Sequence, residues 1–264
     1  MKIIGAEEID GALDETALVN AIEAAFRGDI VTPPRHHHAI PRPDGDATLL
    51  LMPAWSGAST GTPVIGTKIV TVFPGNAALS LPSIMGSYLL MDGTSGAPLA
   101  VMDGARLTLW RTAAASALAA RHLASPQSSR MLMVGAGALC PFMIRAHLAG
   151  HRLTDIAIWN HRPERARGMA AMLAAEGLPV RATEDLEQAV AGADIISCAT
   201  LSASPVIHGA WLKPGAHLDL VGAFNLSMRE ADDAALERSS VFIDTSAALT
   251  EGGDVAVAIK AGTY

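Results

Sequence analysis

A lysine stands on the apolar face of a predicted strand in the first half of the sequence. Residues 66–76 read GTKIVTVFPGN, an alternation typical of a strand, in which Lys68 shares its face with Val70 and Val72. A lysine is almost never fully buried without a partner. Either Lys68 reaches solvent along its aliphatic stem, or an anionic ligand is its partner.

Further cations occupy comparable positions. The segment DGARLTLWRTAAASALAARHLA, residues 103–124, is alanine-rich and predicts a helix, with Arg106 and Arg111 near its start. The helix dipole disfavours cations there, so either an anion lies nearby or the arginines are ordinary surface residues. Arg35 directly follows two prolines that hold the chain extended.

The chemistry that these residues could perform is binding rather than hydrolysis. The sequence shows no carboxylate dyad, no Ser-His-Asp elbow and no recognisable set of metal ligands. His36, His37 and His38 are consecutive, so on a strand they point to alternate faces, and we predict no metal site. Cations without these groups indicate a small carboxylic acid as ligand.

The second half begins with a dinucleotide-binding pattern. A short apolar run at 131–134 precedes the turn GAGALC and a segment with helical spacing. Gly135 would form the tight turn, Gly137 would let the backbone approach a pyrophosphate, and Cys140 stands at the third small position. The predicted cofactor-binding residues of this turn are Gly135, Ala136, Gly137, Ala138 and Leu139.

The sequence after this turn alternates between strand and helix patterns. Strands are predicted in DIAIWN, LPVRAT, DIISCAT, HLDLVGAF and VFIDTS, and helices in RPERARGMAAMLAAEG and EDLEQAVAGA. This alternation predicts an α/β fold with a doubly wound parallel sheet of the Rossmann type.

The end of the second predicted strand bears on cofactor choice. An NAD site usually has an acid there for the ribose 2′-hydroxyl, but the sequence reads Asn160-His161-Arg162, with no acid before Glu164. Arg162 either meets a 2′-phosphate or caps a solvated loop. We therefore favour NADP(H) as cofactor and keep NAD(H) as the alternative.

Length and composition limit the class of protein. The 264 residues predict one large or two medium domains, half of the residues are apolar, and the net charge of −7 argues against nucleic-acid binding. No apolar run is long enough for a transmembrane helix, and acids stand where a signal peptide would be apolar. Two cysteines cannot form a disulfide framework, so we expect a cytoplasmic protein.

Several motifs, in order from about residue 30 to the end, resemble the ornithine cyclodeaminase/μ-crystallin family. They are GTKIVTVFPGN, GAPLAVMDGARLTLWRTAAASALAARHLA, MVGAGALC, IWNHRPERA, AVAGADIISCAT, WLKPGAHLDLVGAF and MREADD. The resemblance implies that Lys68, Arg111 and Arg35 hold a substrate carboxylate, with Lys68 and Arg111 as catalytic residues. It also implies that the glycine turn and Asn160-His161-Arg162 bind the cofactor and that Thr200 and Leu201 line its site.

The resemblance further implies an α+β substrate-binding and dimerisation domain at 1–111, a Rossmann domain at 112–264 and a homodimer. It implies a further segment beyond Tyr264 that folds towards the nicotinamide. Cyclodeaminases of the family carry an aspartate after the fifth Rossmann strand, where this sequence has Phe224. A phenyl ring cannot activate water, which argues against cyclodeamination. The reductases of the family lack that aspartate too, and the stretch from HLDLVGAFN to MREADD most resembles the Δ1-pyrroline-2-carboxylate reductases.

The expected activity is NAD(P)H-dependent reduction of a small cyclic imino acid, Δ1-pyrroline-2-carboxylate or Δ1-piperideine-2-carboxylate, to L-proline or L-pipecolate. Three alternatives stay open at this point. They are ornithine cyclodeamination, a non-catalytic NADP-binding role like that of some μ-crystallins, and dehydrogenation of an open-chain amino acid.

Overall fold

The computed structural model describes residues 1–42, 45–57 and 61–264, except for the side chain of Ala77. The chain forms two compact units, Met1–Arg111 and Thr112–Tyr264, and the boundary falls within one long helix.

The amino-terminal unit contains two helices between the first and second strands of its sheet. Helix α2 begins after Asp14, whose carboxylate accepts the Ala17 N–H at 2.8 Å. The elements of this unit, together with the boundary helix, are β1 (Lys2–Ile4), α1 (Ala6–Ala12), α2 (Glu15–Arg27), β2 (Ile30–Val31), β3 (His36–Ile40), β4 (Ala47–Ser56), β5 (Val64–Val72), β6 (Ile84–Asp92), β7 (Pro98–Asp103) and α3 (Gly104–Leu123).

The strands of this unit form a seven-stranded mixed sheet. The order is β1-β7-β6-β5-β4-β2, with β3 also paired to β4. All pairs are antiparallel except β1 with β7. In the register of β5, Lys68 lies opposite Met52 of β4 and Tyr88 of β6. Because directly opposed residues point to the same face, these three side chains are neighbours on one surface of the sheet.

The elements of the second unit alternate between strand and helix. They are β8 (Arg130–Val134), α4 (Cys140–Gly150), β9 (Asp155–Trp159), α5 (Pro163–Ala175), β10 (Val180–Ala182), α6 (Leu186–Gly192), β11 (Ile195–Cys198), β12 (His217–Leu220), α7 (Asp233–Glu237) and α8 (Gly253–Ala261). The sheet order is β10-β9-β8-β11-β12, and every pair is parallel. The strand order reverses at β8, so the prediction of a doubly wound Rossmann sheet is confirmed.

The core of this sheet is mostly apolar along its central strands, and the buried Ser197 of β11 donates to Asp219. Leu132 and Met133 of β8 and Ile195 and Ile196 of β11 are completely buried. Such continuous apolar runs are expected where helices cover both faces of a parallel sheet. The buried strands give the turns at their carboxyl ends a rigid base.

One predicted strand is wrong. Residues 241–246, VFIDTS, form no strand and lead into a 3₁₀ turn at Ser246–Leu249. The sheet path ends at β12, and Phe242 and Ile243 are 65% and 42% exposed. An apolar run without a strand partner or a covered face gains nothing from an extended conformation.

In the part of the chain that the structure describes, no helix is long and apolar enough to cross a membrane. No group of three His, Cys, Asp or Glu side chains there could hold a metal ion. His36, His37 and His38 lie on β3 and are exposed.

Candidate active site

The amino-terminal unit brings three predicted cations together. Lys68 lies in the middle of β5, Arg111 lies two turns into α3, and Arg35 immediately precedes β3. All three are close enough for the charges of Arg111 and Arg35 to act on Lys68. Elements far apart in sequence thus converge on one positive site.

The electrostatics of this site act strongly on Lys68. Burial, then the charge of Arg111, then that of Arg35 lower the pKa of Lys68 from its ordinary value of 10.5 to about 8. Each of these effects disfavours the ammonium form, because it loses water or meets like charge. An anion bound beside Lys68 would reverse the imbalance, since a carboxylate favours the charged form of all three side chains.

A small cavity opens beside Lys68. Its volume is about 150 Å³, and Lys68 contributes to a largely apolar wall. The lining residues are Lys68, Val70, Ile84, Met85, Gly86, Gly104, Ala105 and Thr108. Drug-sized ligands occupy about 300–1,000 Å³, so this cavity suits a much smaller molecule with one charged end and an apolar body.

Arg106 has a different role from that of Arg111. Its guanidinium donates to the Asp10 carboxylate at 2.6 Å, and the same carboxylate accepts the Trp110 indole N–H at 2.8 Å. The Arg106 N–H in turn donates to Asp103, which caps the helix. The anion beside this arginine is therefore part of the protein, and the arginine braces the start of α3.

In the second unit, the glycine turn lies at the carboxyl end of β8. Gly135 is buried, has φ +114° and donates its N–H to the Trp159 carbonyl at the end of β9. A Cβ at Gly135 would lie 2.6 Å from the Ala199 carbonyl oxygen, so only glycine fits this turn.

The loop that follows is open to solvent. Gly137 and Ala138 are exposed, and a Cβ at Gly137 would meet nothing within 4 Å. Helix α4 then begins at Cys140, which burial holds in the thiol form by raising its pKa to about 12. An exposed glycine loop on a buried strand, followed by a helix amino terminus, is a cradle that fits a pyrophosphate.

The Asn160-His161-Arg162 segment lies next to this turn, because it directly follows β9. The Arg162 N–H donates to the Asn160 side chain at 2.9 Å, and Arg162 Nε contacts His161 Nε2 at 3.1 Å. His161 and Arg162 are exposed, and Arg162 is the residue that precedes α5. The guanidinium therefore stands at the strand end where a Rossmann fold meets the adenosine ribose.

Thr200 and Leu201 follow β11 at the same edge of the sheet. Leu201 is 74% exposed, whereas Thr200 is half-buried and donates to the carboxylate of Glu230. Glu230 belongs to the MREADD motif, but its bonding could not be read from that motif. It was missed because its partners lie 30 and 8 residues away in sequence.

A larger cavity of about 510 Å³ lies at the opposite edge of this sheet. It is lined by Arg130 at the start of β8, by Arg181 of β10 and by residues of α6. Both arginines pair with Asp155, so their charges are already compensated in part. Ligands of doubly wound sheets bind at the carboxyl ends of the strands, so we assign the cofactor to the glycine-turn edge rather than to this cavity.

Sequence comparison agrees with these features. A sequence model of the ornithine cyclodeaminase/mu-crystallin family matches residues 2–263. The chain belongs to this family.

Named relatives in the family include a plant and a bacterial protein. The protein SAR DEFICIENT 4 of Arabidopsis thaliana is 41% identical over 267 residues, which cover 98% of this chain and 81% of that protein. The Δ1-pyrroline-2-carboxylate reductase of Paracoccus denitrificans is 42% identical over 181 residues, covering 68% of this chain and 57% of the reductase.

Solved structures of the family have the same fold. The Δ1-pyrroline-2-carboxylate reductase of Thermococcus litoralis, in complex with NADH and L-proline, matches with a TM-score of 0.90 and 27% identity, covering 100% of this chain and 82% of that one. An archaeal alanine dehydrogenase dimer with bound NAD matches with a TM-score of 0.88 and 28% identity, covering 100% and 80%.

Proposed function

We propose that this protein is an NAD(P)H-dependent reductase of a small cyclic imino acid. The substrates are Δ1-pyrroline-2-carboxylate or Δ1-piperideine-2-carboxylate, and the products are L-proline or L-pipecolate. The observation that carries the proposal is the positive site formed by Lys68, Arg111 and Arg35 beside a small apolar cavity. The relatives named as reductases, and the solved reductase that holds L-proline, support the same chemistry.

The cations act on the substrate carboxylate. Lys68 and Arg111 bind the carboxylate, and Arg35 adds a third positive charge. Charge-assisted hydrogen bonds contribute about 1.5–3 kcal/mol each, and two of them also fix the orientation of the ring. The apolar wall next to Lys68, including Val70 and Ile84, receives the methylene groups. Orientation matters most here, because a fixed approach distance provides much of the rate gain.

The same site also supplies the proton that the substrate nitrogen gains during reduction. When bound, the nicotinamide supplies a hydride to the C=N carbon. The C=N electron pair then moves to nitrogen, which must end the reaction with a proton. Lys68 can donate that proton, because its pKa of about 8 lies close to neutral pH. A substrate whose nitrogen is already protonated when it binds needs Lys68 and Arg111 only to hold its carboxylate.

The cofactor is held by the second unit. Residues 135–139 hold the pyrophosphate, with Thr200 and Leu201 farther along the same edge. We favour NADP(H), because Arg162 is exposed at the ribose position and the neighbouring side chains are Asn160 and His161 rather than an acid. The Thermococcus litoralis reductase was solved with NADH, so NAD(H) is the alternative that the assay must include.

We assign substrate binding and dimerisation to residues 1–111 and cofactor binding to residues 112–264. The archaeal alanine dehydrogenase, solved as a dimer, supports a homodimer. Light scattering on the purified protein tests this part of the proposal, and a monomer at micromolar concentration would contradict it.

Cyclodeamination of ornithine is disfavoured. Phe224 follows β12, its N–H donates to the Gly222 carbonyl, and its ring is 52% exposed. A phenyl ring cannot accept a proton from the ornithine amine or activate water at this position.

The deciding experiment follows the absorbance of reduced nicotinamide. NADPH and NADH are each mixed with Δ1-pyrroline-2-carboxylate, and ornithine with NAD is run beside them. Oxidation by the imino acid, with NADPH preferred, is the expected result. Formation of proline and ammonia from ornithine would replace the proposal with cyclodeamination. Nucleotide binding without any turnover would replace it with a non-catalytic role.

A further inference from the structure

Glu230 is a buried acid that joins two strand ends. Its side chain is 1% exposed, and one carboxylate oxygen accepts the Thr200 N–H at 2.6 Å and the Thr200 hydroxyl at 2.7 Å. The other oxygen accepts the Gly222 N–H at 2.6 Å. Thr200 follows β11 and Gly222 follows β12, so a single side chain bridges the carboxyl ends of two neighbouring strands.

The main chain of Glu230 is held as firmly as its side chain. Its N–H donates to the buried Asp254 carboxylate of α8 at 2.8 Å. Its carbonyl accepts the Val206 and Ile207 N–H groups, each at 2.9 Å. The carboxylate is therefore a fixed support, and the strand ends that it bonds take their positions from it.

The chemistry of the partners requires an acceptor at both oxygens. The two backbone partners, at Thr200 and Gly222, are N–H groups that can only donate. An amide of the same size would turn its NH₂ group towards one of these N–H donors. Burial raises the pKa of Glu230 to about 7, while its donors oppose that rise because they favour the ionised form. Acids whose pKa is strongly shifted by burial are concentrated at functional sites.

The location of this support links it to the cofactor. Ligands of doubly wound sheets bind at the carboxyl ends of the strands, and the segment that Glu230 bonds contains both Thr200 and the exposed Leu201. We propose that Glu230 is a positioning residue that sets the affinity for the nicotinamide cofactor by fixing the strand ends at Thr200 and Gly222. This inference rests on the proposed function, because it assumes the cofactor at this edge.

The test compares Glu230→Gln with a matched control at the other edge of the sheet. Asp194 also accepts two backbone N–H groups, those of Ser129 and Arg130, but it lies at the amino end of β11. Asp194→Asn therefore removes a comparable carboxylate far along the strand from Thr200. Glu230→Asp, which keeps the charge and shortens the reach, is the second variant.

Dissociation constants for NADPH and NADH are measured by fluorescence titration, each well below the melting temperature of its variant. We expect Glu230→Gln to weaken binding at least about 10-fold, Glu230→Asp to weaken it less, and Asp194→Asn to stay within about 2-fold of the unaltered protein. The Michaelis constant for the cofactor should rise while that for the imino acid stays the same.

Equal cofactor affinity in Glu230→Gln and the unaltered protein would overturn the inference. So would an equal loss in Asp194→Asn, which would reveal a general effect of stability. Hydrogen exchange at the Thr200 and Gly222 amides provides a readout if Glu230→Gln binds too weakly to titrate, and unchanged protection there would also overturn the inference. Failure of the unaltered protein to bind either nucleotide would instead overturn the proposed function.

Discussion

Replacing Lys68 with methionine should reduce activity and raise stability together. Methionine keeps the apolar stem of the side chain and removes the ammonium. Losing one charge-assisted bond to the carboxylate costs about 1.5–3 kcal/mol, so kcat/KM for the imino acid should fall about 10- to 150-fold. Cofactor affinity should not change, because residues of the second unit bind the nucleotide.

The stability gain follows from the pKa of the lysine. A fall from 10.5 to about 8 means that the fold disfavours charged Lys68 by about 3 kcal/mol at ~1.4 kcal/mol per pKa unit. Lys68 is only partly buried, and solvent screening reduces this figure to roughly 1–2 kcal/mol. The melting temperature of Lys68→Met should therefore rise by roughly 2–8 °C in a thermal melt without substrate.

Lys213→Met is the matched control. Lys213 Nζ lies 2.5 Å from the Asp194 carboxylate and donates to the Gly192 carbonyl, so this lysine has its partner within the protein. Its replacement should lower the melting temperature and leave kcat/KM unchanged. Full activity in Lys68→Met, or a lower melting temperature there, would refute the argument that the Lys68 charge is kept for an anionic substrate.

The remaining predictions concern pH, cofactor choice and two structural positions. The value of kcat/KM should fall as pH rises through about 8, where Lys68 loses its proton. In Arg35→Gln this fall should move to higher pH, because one of the charges that lower the pKa of Lys68 is gone. A fall that stays at the same pH would assign the titration to the substrate. The pKa of Lys68 in the folded protein lies below 10.5, so the free-energy cost of its charge is present below about pH 8 and disappears between about pH 8 and 10.5. In urea titrations, the free energy of unfolding should therefore rise across that window more in the unaltered protein than in Lys68→Met. Arg162→Ala should lower the ratio of NADPH to NADH affinity at least several-fold, and an unchanged ratio in fluorescence titrations would count against the 2′-phosphate role. Gly135→Ala should cost about 1–3 kcal/mol in urea unfolding and abolish nucleotide binding, since φ is +114° there; normal binding would contradict this. Asp10→Asn should cost about 1–3 kcal/mol in urea unfolding without changing cofactor affinity, because it weakens the acceptor of two partly buried hydrogen bonds; unchanged stability would contradict this.

The second unit was largely predictable because its signals are local. Buried strands, glycine turns and helical spacing each occupy a short window, and the parallel pairing of the strands follows from their alternation with helices. The exception, residues 241–246, had the right composition for a strand but no strand edge to join. Composition reports the preference of a segment, whereas pairing depends on the rest of the sheet.

The charged sites were predictable only where a charged residue conflicted with its predicted strand face or helix end. Lys68 and Arg111 conflict with their local surroundings, so each indicated a partner from sequence alone. Arg106 gave the same signal, but its partner is Asp10, which lies 96 residues earlier in the chain. Glu230 gave no signal, because an acid in a polar loop is ordinary until folding buries it. Sequence shows that a charge needs a partner, and only the fold identifies the partner.

The pairing of β1 with β7 has a consequence for synthesis of the chain. Lys2, Ile3 and Ile4 pair with residues 100–102, so β1 cannot take its place in the sheet until about one hundred further residues have been synthesised. At about 5–20 residues per second, this delay is roughly 5–20 s. Asp10 waits about as long for Arg106 and Trp110, which follow it by 96 and 100 residues. The antiparallel strands between β4 and β6 can meet earlier through local connections. β1 therefore precedes the other strands of its sheet in the chain but pairs only with the last of them.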